Sequence, residues 1–140
     1  MFFVLVACNG GNPIKPGLFD GQLAPCPSSP NCVSSDADNS DHKVAPIRFN
    51  IPPEAAWELL IDQVNRMPRT TIVEQTPRYL HVTCRSQVFG FVDDLTFHLR
   101  PEQGVIALRS AARTGYYDFG VNRKRVETLR KTLQQKGLVK

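Results

Sequence analysis

Two arginines, Arg109 and Arg113, are the residues of this sequence best suited to bind an anion. They are four positions apart in an alternating stretch, so on a strand both point to the same face, together with Ala107 and Ala111. The small alanine side chains leave space above the sheet between two guanidinium groups, which form paired hydrogen bonds with carboxylates and phosphates. We therefore predict that a ligand site lies on this strand.

Neighbouring segments complete the predicted site. Residues 115–120 turn the chain toward a second helix whose first turn contains Asn122 and Arg123, and a helix N-terminus attracts negative charge. Asp93, on the neighbouring strand, would orient one of the arginines. The predicted ligand-binding residues are Arg109, Arg113, Asp118, Asn122, Arg123 and Asp93.

The same polar side chains could instead satisfy one another. Asp118 could cap the second helix or pair with Arg113, and Asp93 or Asp94 could pair with Arg109. The sequence contains no Gly-rich phosphate loop, no serine elbow and no His-Glu-x-x-His helix. We therefore assign no catalytic residue and favour a protein that is not an enzyme.

The cysteine pair Cys26 and Cys32 predicts a disulfide outside the cytoplasm, because six positions of turn-rich sequence bring the two thiols within bonding reach. The alternatives are a reactive thiol pair or half of a metal site. A metal ion would need about two further ligands at a recognisable spacing, so we predict neither a metal nor a cofactor. Cys84 alternates with Leu80 and Val82 and is predicted to be a buried free thiol.

The N-terminus resembles a bacterial lipoprotein signal. Met1 to Ala7 is wholly apolar and Cys8 follows a small residue, although the leader is short and has no basic region. We predict that residues 1–8 form a truncated leader ending at a lipidated Cys8, and that the Gly- and Pro-rich residues 9–24 form a flexible tether. Residues 25–140 are then a single domain with an N-terminal Cys-loop.

This interpretation places the protein in the cell envelope, held to a membrane through Cys8 and facing the periplasm, with the outer membrane favoured. A wrongly assigned leader would instead leave a basic cytoplasmic protein with free thiols.

Charge is concentrated near the C-terminus. Of the 140 residues, 17 are Lys or Arg and 13 are Asp or Glu, and residues 109–140 hold nine of the basic residues but two of the acidic ones. The basic second helix could be a solvated face, contact an anionic membrane or envelope polymer, or bind nucleic acid. Nucleic acid is the disfavoured partner, because no aromatic residue follows Phe119 among these basic residues.

Periodicity predicts the elements that position these residues. Trp57, Leu60, Ile61, Val64 and Met67 recur at helical spacing in a helix that begins at 52–53 and ends near 67. A second helix begins at 120–122, ends before Gly137, and presents Val126, Leu129 and Leu133. Extended segments are predicted at 44–49, 70–75, 79–86, 89–100 and 105–113, with a turn at 101–104.

The predicted fold class is α+β. The element order β-α-β-β-β-β-α suits an antiparallel sheet of about five strands, covered on one face by two helices and free on the other. TATA-binding-protein-like and helix-grip-like domains share this order, which is an analogy of fold and carries no function.

Three stretches of sequence resemble a known family. They are residues 26–35, in which the two cysteines enclose Pro-Ser-Ser-Pro-Asn, residues 90–94 (Gly-Phe-Val-Asp-Asp), and residues 109–125. Together they resemble the bacterial and plastid family catalogued as domain of unknown function 1499, from about residue 23 to the end of the second helix. The resemblance implies no established activity. It implies that members often carry a lipoprotein signal or membrane segment upstream, in agreement with the interpretation of Cys8.

We therefore expect an envelope lipoprotein that acts as a non-enzymatic binding or accessory module, with an arginine-rich site for an anionic ligand or an envelope partner. The alternative is a small enzyme that uses Cys26 and Cys32 in thiol–disulfide chemistry. The sequence makes no prediction of the oligomeric state.

Overall fold

A six-stranded antiparallel sheet is the central element of the fold. The computed structural model describes residues 14–139. The strands are β1 (Leu18–Phe19), β2 (Gln22–Leu23), β3 (Cys32–Ser34), β4 (Ile47–Arg48), β5 (Thr70–Gln75), β6 (Tyr79–Arg85), β7 (Val92–Arg100) and β8 (Val105–Ala112), and the helices are α1 (Pro53–Arg66) and α2 (Val121–Gln135).

The sheet order is β3-β8-β7-β6-β5, and β4 also pairs with β8. The short 3-10 turn Pro101–Gln103 and Gly104, which has a left-handed backbone (φ 63°), join β7 to β8 as an antiparallel hairpin. The strands at 70–75, 79–86, 89–100 and 105–113 and the turn at 101–104 are thus confirmed, with boundaries shifted by at most three residues.

Both helices pack on one face of the sheet, which we call the helix face. Trp57, Leu60 and Val64 of α1 and the apolar residues of α2 are buried against Leu80, Leu95 and Phe97. Burial of these apolar side chains supplies most of the favourable free energy of folding. The two amphipathic helices, the antiparallel sheet and the α+β class are confirmed. The analogy with particular folds rests on element order and stays a prediction.

The opposite face, which we call the outer face, is covered in part, and this corrects the prediction that it is free. The β1–β2 hairpin lies over it, with Leu23 buried against Tyr79 and Ala107. Arg100 fastens this hairpin by donating two hydrogen bonds of 2.7 Å to Asp36, whose carboxylate also accepts the Leu23 N–H at 2.9 Å.

Two predictions for the N-terminal region change as a result. Part of the expected tether, residues 18–23, forms this hairpin, and residues 32–34 of the expected polar loop form β3. β3 pairs with β8 through Cys32 with Ala111, Val33 with Ser110, and Ser34 with Arg109. β1, β2 and β3 have two or three residues each, which is too short to give a periodic signal.

Cys8 and the apolar stretch before it lie outside the described residues. Within residues 14–139 neither helix has the length and apolar character needed to span a bilayer.

Candidate functional site

A polar cluster lies on the outer face, built by three neighbouring strands. Register aligns His81 of β6 with Thr96 of β7, and Thr96 with Arg109 of β8. Asp94 of β7 shares their face because alternate residues of a strand point the same way. Arg113 follows β8, where its backbone N–H donates to the Val92 carbonyl at 3.0 Å. We call His81, Asp94, Thr96, Arg109 and Arg113 the outer-face cluster.

Asp94 is the carboxylate of this cluster. Arg113 donates from Nε to Oδ2 at 3.0 Å and from Nη2 to Oδ1 at 2.7 Å, and Nε2 of His81 lies 2.7 Å from Oδ1. Burial alone would raise the pKa of Asp94, but the hydrogen bonds from His81 and Arg113 outweigh it and hold this pKa at about 2. Asp94 is therefore ionised at neutral pH, and its two partners are fixed around it.

Arg109 is a buried cation beside this carboxylate. Arg109 is 2% exposed. Its Nη2 donates to the Pro25 carbonyl at 3.1 Å, and its Nε has no hydrogen-bond partner. Burial lowers the pKa of the Arg109 guanidinium, and the charge of Asp94 opposes that effect. Among the described residues no carboxylate forms an ion pair with Arg109, so its positive charge is only partly compensated.

The space predicted beside Ala107 is filled, because Leu23 and Tyr79 pack there. Pro25, whose carbonyl accepts the hydrogen bond from Arg109, is itself an exposed residue.

Asp93 and Asn122 lie on the helix face, away from Arg109 and Arg113. Asp93 accepts a hydrogen bond of 2.7 Å from Nη2 of Arg125. Nη1 of Arg125 donates to Asn122 Oδ1 at 2.8 Å and to Ser110 Oγ at 3.0 Å. The prediction that Asp93 orients one of the site arginines is corrected: Asp93 binds Arg125 on the helix face, whereas Arg109 and Arg113 lie on the outer face with its neighbour Asp94.

Asn122 is fully buried at the centre of this second network. Its Oδ1 accepts from Ser110 at 2.6 Å, and its Nδ2 donates to Asp118 at 2.9 Å and to the Asn31 carbonyl at 3.3 Å. Asp118 also accepts the backbone N–H groups of Gly120 and Asn122, which confirms that it caps the second helix. This network joins the Cys-loop to β8 and α2.

Arg123 lies apart from both groups. Its guanidinium donates to the carbonyls of Asp41 and Lys43, each at 3.0 Å. It lines an open cleft of about 430 Å³ together with Tyr117 and Phe119. The six predicted residues therefore form an outer-face pair, a helix-face group and one separate cation.

The disulfide between Cys26 and Cys32 is confirmed, with an S–S distance of 2.03 Å and a Cα–Cα distance of 5.6 Å. Cys84 is a buried free thiol, and burial raises its pKa. Nδ1 of His42 lies 2.8 Å from the carbonyl of Cys32, so this histidine contacts the disulfide loop through its backbone. Within residues 14–139 no three potential metal ligands come together.

Sequence reasoning missed His81 and Arg125. A signal for His81 existed, because pairing the predicted strands 79–86 and 89–100 as a hairpin places His81 on the same face as Asp94; in the structure it lies opposite Thr96. Arg125 follows Asn122 by three positions on α2 and so shares its side of the helix. No sequence signal existed for the contact between Pro25 and Arg109, because it uses the backbone carbonyl, which every residue has.

Comparisons with known proteins give one family and one relative. A family model described as "Protein of unknown function (DUF1499)" matches residues 22–133. The chain is also 28% identical over 134 residues to a protein of Arabidopsis thaliana named "Thylakoid lumenal 17.9 kDa protein, chloroplastic". That alignment covers 89% of this chain but 59% of the relative, so the chain spans about three fifths of the length of the protein it matches. No solved structure matches the chain.

Proposed function

Since the chain belongs to a family of proteins of unknown function, DUF1499, we propose its function from the structure of the chain itself. We propose that it is a non-enzymatic binding module of an extracytoplasmic compartment and that Arg109 is its anion-binding group. The ligand chemistry is a carboxylate, phosphate or sulfate group, which accepts paired hydrogen bonds from a guanidinium.

The observation that carries this proposal is the unpartnered Nε of Arg109 in a residue that is 2% exposed. A buried guanidinium with a free N–H and one carbonyl partner lowers stability, since burial of charge is costly unless the charge is paired. An anion that replaced the Pro25 carbonyl would supply the missing acceptor and the missing charge.

The charge balance of the outer-face cluster supports the same ligand class. The cluster contains two guanidinium groups, those of Arg109 and Arg113, but one carboxylate, that of Asp94, and Arg113 binds both of its oxygens. The two arginines thus bring two positive charges to the cluster against the one negative charge of Asp94. Arg113 is 44% exposed in its side chain and marks the solvent side of the cluster.

Replacement of Arg109 by methionine tests the proposal. Arg109→Met keeps the apolar length of the side chain and removes an uncompensated buried charge, so we expect the free energy of unfolding to rise by about 1 kcal/mol. Inorganic phosphate at about ten times its dissociation constant should stabilise the unmodified protein by about 1.4 kcal/mol, and this gain should vanish in the variant. Thermal and urea unfolding with and without phosphate measure both effects.

Two controls make this test specific. Sodium chloride at equal ionic strength shows how much of the phosphate effect is general charge screening. Arg48→Met removes an exposed arginine from β4, and we expect this variant to keep the full stabilisation by phosphate. If Arg109→Met lowers stability and phosphate stabilises both proteins equally, Arg109 is a structural residue and the proposed site is wrong.

We further propose that Cys8 is lipidated and holds the domain at a membrane. Two observations support an extracytoplasmic location: disulfides persist in oxidising compartments, and the Arabidopsis relative is named for the thylakoid lumen. Cys32 is fully buried within β3, so we assign the disulfide a structural role. The thiol–disulfide enzyme is the competing candidate, with the half-buried Cys26 as its attacked sulfur.

Intact mass measurement on protein from the membrane and soluble fractions of its native host tests location and anchor together. We expect a membrane-bound species that begins at Cys8, carries acyl chains, and takes up no alkylating reagent at Cys26 and Cys32 without prior reduction. A soluble species that retains Met1 and alkylates at both cysteines would contradict the anchor and the compartment.

A further inference from the structure

Five aromatic side chains are exposed on two loops at one end of the sheet. Their exposed fractions run from 58% for Phe91 to 93% for Phe119, although aromatic rings of this size are usually buried. We call them the aromatic tips: Phe89 and Phe91 between β6 and β7, and Tyr116, Tyr117 and Phe119 between β8 and α2.

Sheet register brings these two loops together. Arg85 at the end of β6 pairs with Val92, and Asp93 pairs with Ala112 at the end of β8. Within each loop the rings contact one another, with centroids 5.6 Å apart for Phe89 and Phe91 and 6.4 Å apart for Tyr117 and Phe119. Both loops are therefore parts of one surface with two aromatic clusters.

Exposed cations surround the aromatic tips. Arg69 donates to the backbone carbonyl of Arg85, and the guanidinium of Arg85 donates to the carbonyl of Gly90, so both lie beside the first loop. Arg123 and Lys124 are exposed in the first turn of α2, beside the second loop. In the described part of the chain none of these four cations forms an ion pair with a carboxylate. The carboxylate of Asp118, on the same loop as Tyr117, is committed to the cap of α2.

We propose that this end of the molecule docks on an anionic lipid surface, with the aromatic tips inserted at the headgroup level and the four cations against lipid phosphates. Exposed aromatic rings at loop tips match the membrane interface, where one side of a ring meets acyl chains. Unpaired Lys and Arg match the negative potential of an anionic leaflet. This surface is separate from Arg109, so the docking proposal does not depend on the anion site.

The two ends of the β1–β2 hairpin point toward opposite ends of the sheet. The N–H of Ala24 donates to the Gly17 carbonyl at 3.1 Å, so the open end of the β1–β2 hairpin leads to Cys26 and the Cys-loop. The turn of the hairpin, at Gly21, instead contacts Arg100 at the far end of β7.

The test uses the full chain with Cys8→Ser, which cannot be acylated. Any binding to vesicles then comes from the docking surface and not from the lipid anchor. We expect it to sediment with vesicles that contain about one-third phosphatidylglycerol in phosphatidylcholine, and to be released at about 0.5 M NaCl. Phe89→Ser together with Phe119→Ser should weaken this partition by about tenfold or more.

Phe19→Ser is the matched control. Phe19 is also exposed, at 54%, but it lies by the hairpin turn at the opposite end of the molecule. As a second measurement, Phe119→Trp should show a blue shift of its fluorescence on anionic vesicles, against the buried Trp57 as constant background. Failure to sediment with anionic vesicles, or equal weakening by Phe19→Ser, would overturn the proposal and reassign the aromatic tips to a protein partner.

Discussion

Asp94→Asn is expected to lower the free energy of unfolding by about 3 kcal/mol, because it removes the only carboxylate of the outer-face cluster and leaves Arg109 buried without a compensating charge. The side chain of Asp94 is 7% exposed, so water cannot replace it. Arg113 can turn toward solvent, since it is 44% exposed, and this keeps the loss at the lower end of what a broken buried pair costs. Urea unfolding at neutral pH measures the difference.

The pH dependence of stability gives this prediction a second readout. The folded-state pKa of Asp94 is lowered from 3.8 to about 2. Its contribution to the free energy of unfolding is therefore present above about pH 4 and is lost as the pH falls toward 2. The unmodified protein should lose about 2 kcal/mol through Asp94 over that range, and Asp94→Asn should lack this loss. Asp36, whose pKa is also lowered, is retained in both proteins and gives both the same additional slope.

Asp62→Asn is the matched control for charge removal. Asp62 pairs with Arg66 at 3.0 Å on the surface of α1, where both side chains are more than half exposed, and its loss should cost less than about 0.5 kcal/mol. Equal losses for the two variants, or parallel pH profiles for Asp94→Asn and the unmodified protein, would show that the outer-face cluster is not electrostatically coupled.

Asn122→Ala should produce the second large effect, a decrease of about 2–4 kcal/mol in the free energy of unfolding. The change leaves the buried hydroxyl of Ser110 without its acceptor, removes one acceptor of Arg125, and takes one of the two donors from the Asn31 carbonyl, which keeps the Ala112 N–H. Alanine favours the helix more than asparagine does, so the loss must come from the tertiary network. Thermal unfolding gives the stability change.

Hydrogen exchange locates the effect of Asn122→Ala. Amide protection should fall in the Cys-loop and in the loop between β8 and α2, because Asn122 and Asn31 connect them through Asn31 Nδ2 and the Gly115 carbonyl at 2.8 Å. Gln134→Ala, at an exposed position of the same helix, should leave both stability and protection unchanged or slightly higher. Uniform loss of protection over the sheet would contradict a local role.

The long elements of this fold could be predicted from the sequence because each has a clean apolar period. Leu80, Val82 and Cys84 alternate on β6, and Val126, Leu129 and Leu133 recur at helical spacing on α2. β3 could not be predicted, since a three-residue strand has no period and depends on β8, which lies far along the chain. The β1–β2 hairpin is likewise stabilised by a distant contact, the one between Arg100 and Asp36.

The candidate site was less predictable than the fold. Local spacing correctly placed Arg109 and Arg113 on one face and Asp118 at the start of α2. Local spacing could not show which carboxylate each arginine meets, because Asp93 and Asp94 are adjacent in sequence but face opposite sides of the sheet. The burial of Arg109 under Pro25 depends on a hairpin that the sequence did not reveal.

The pairing of β8 with β3, β4 and β7 has a consequence for the order of folding. β3 and β4 lie in the N-terminal half of the chain and have no strand partner until β8, near the C-terminus, is available. The ring closed by Cys26 and Cys32 spans few residues and needs no distant partner, so it can oxidise while the rest of the chain is still unfolded. The β5–β6–β7 part of the sheet can pair before β8 is available, but the sheet is completed only with β8, because β3 and β4 acquire their hydrogen-bond partners from that strand.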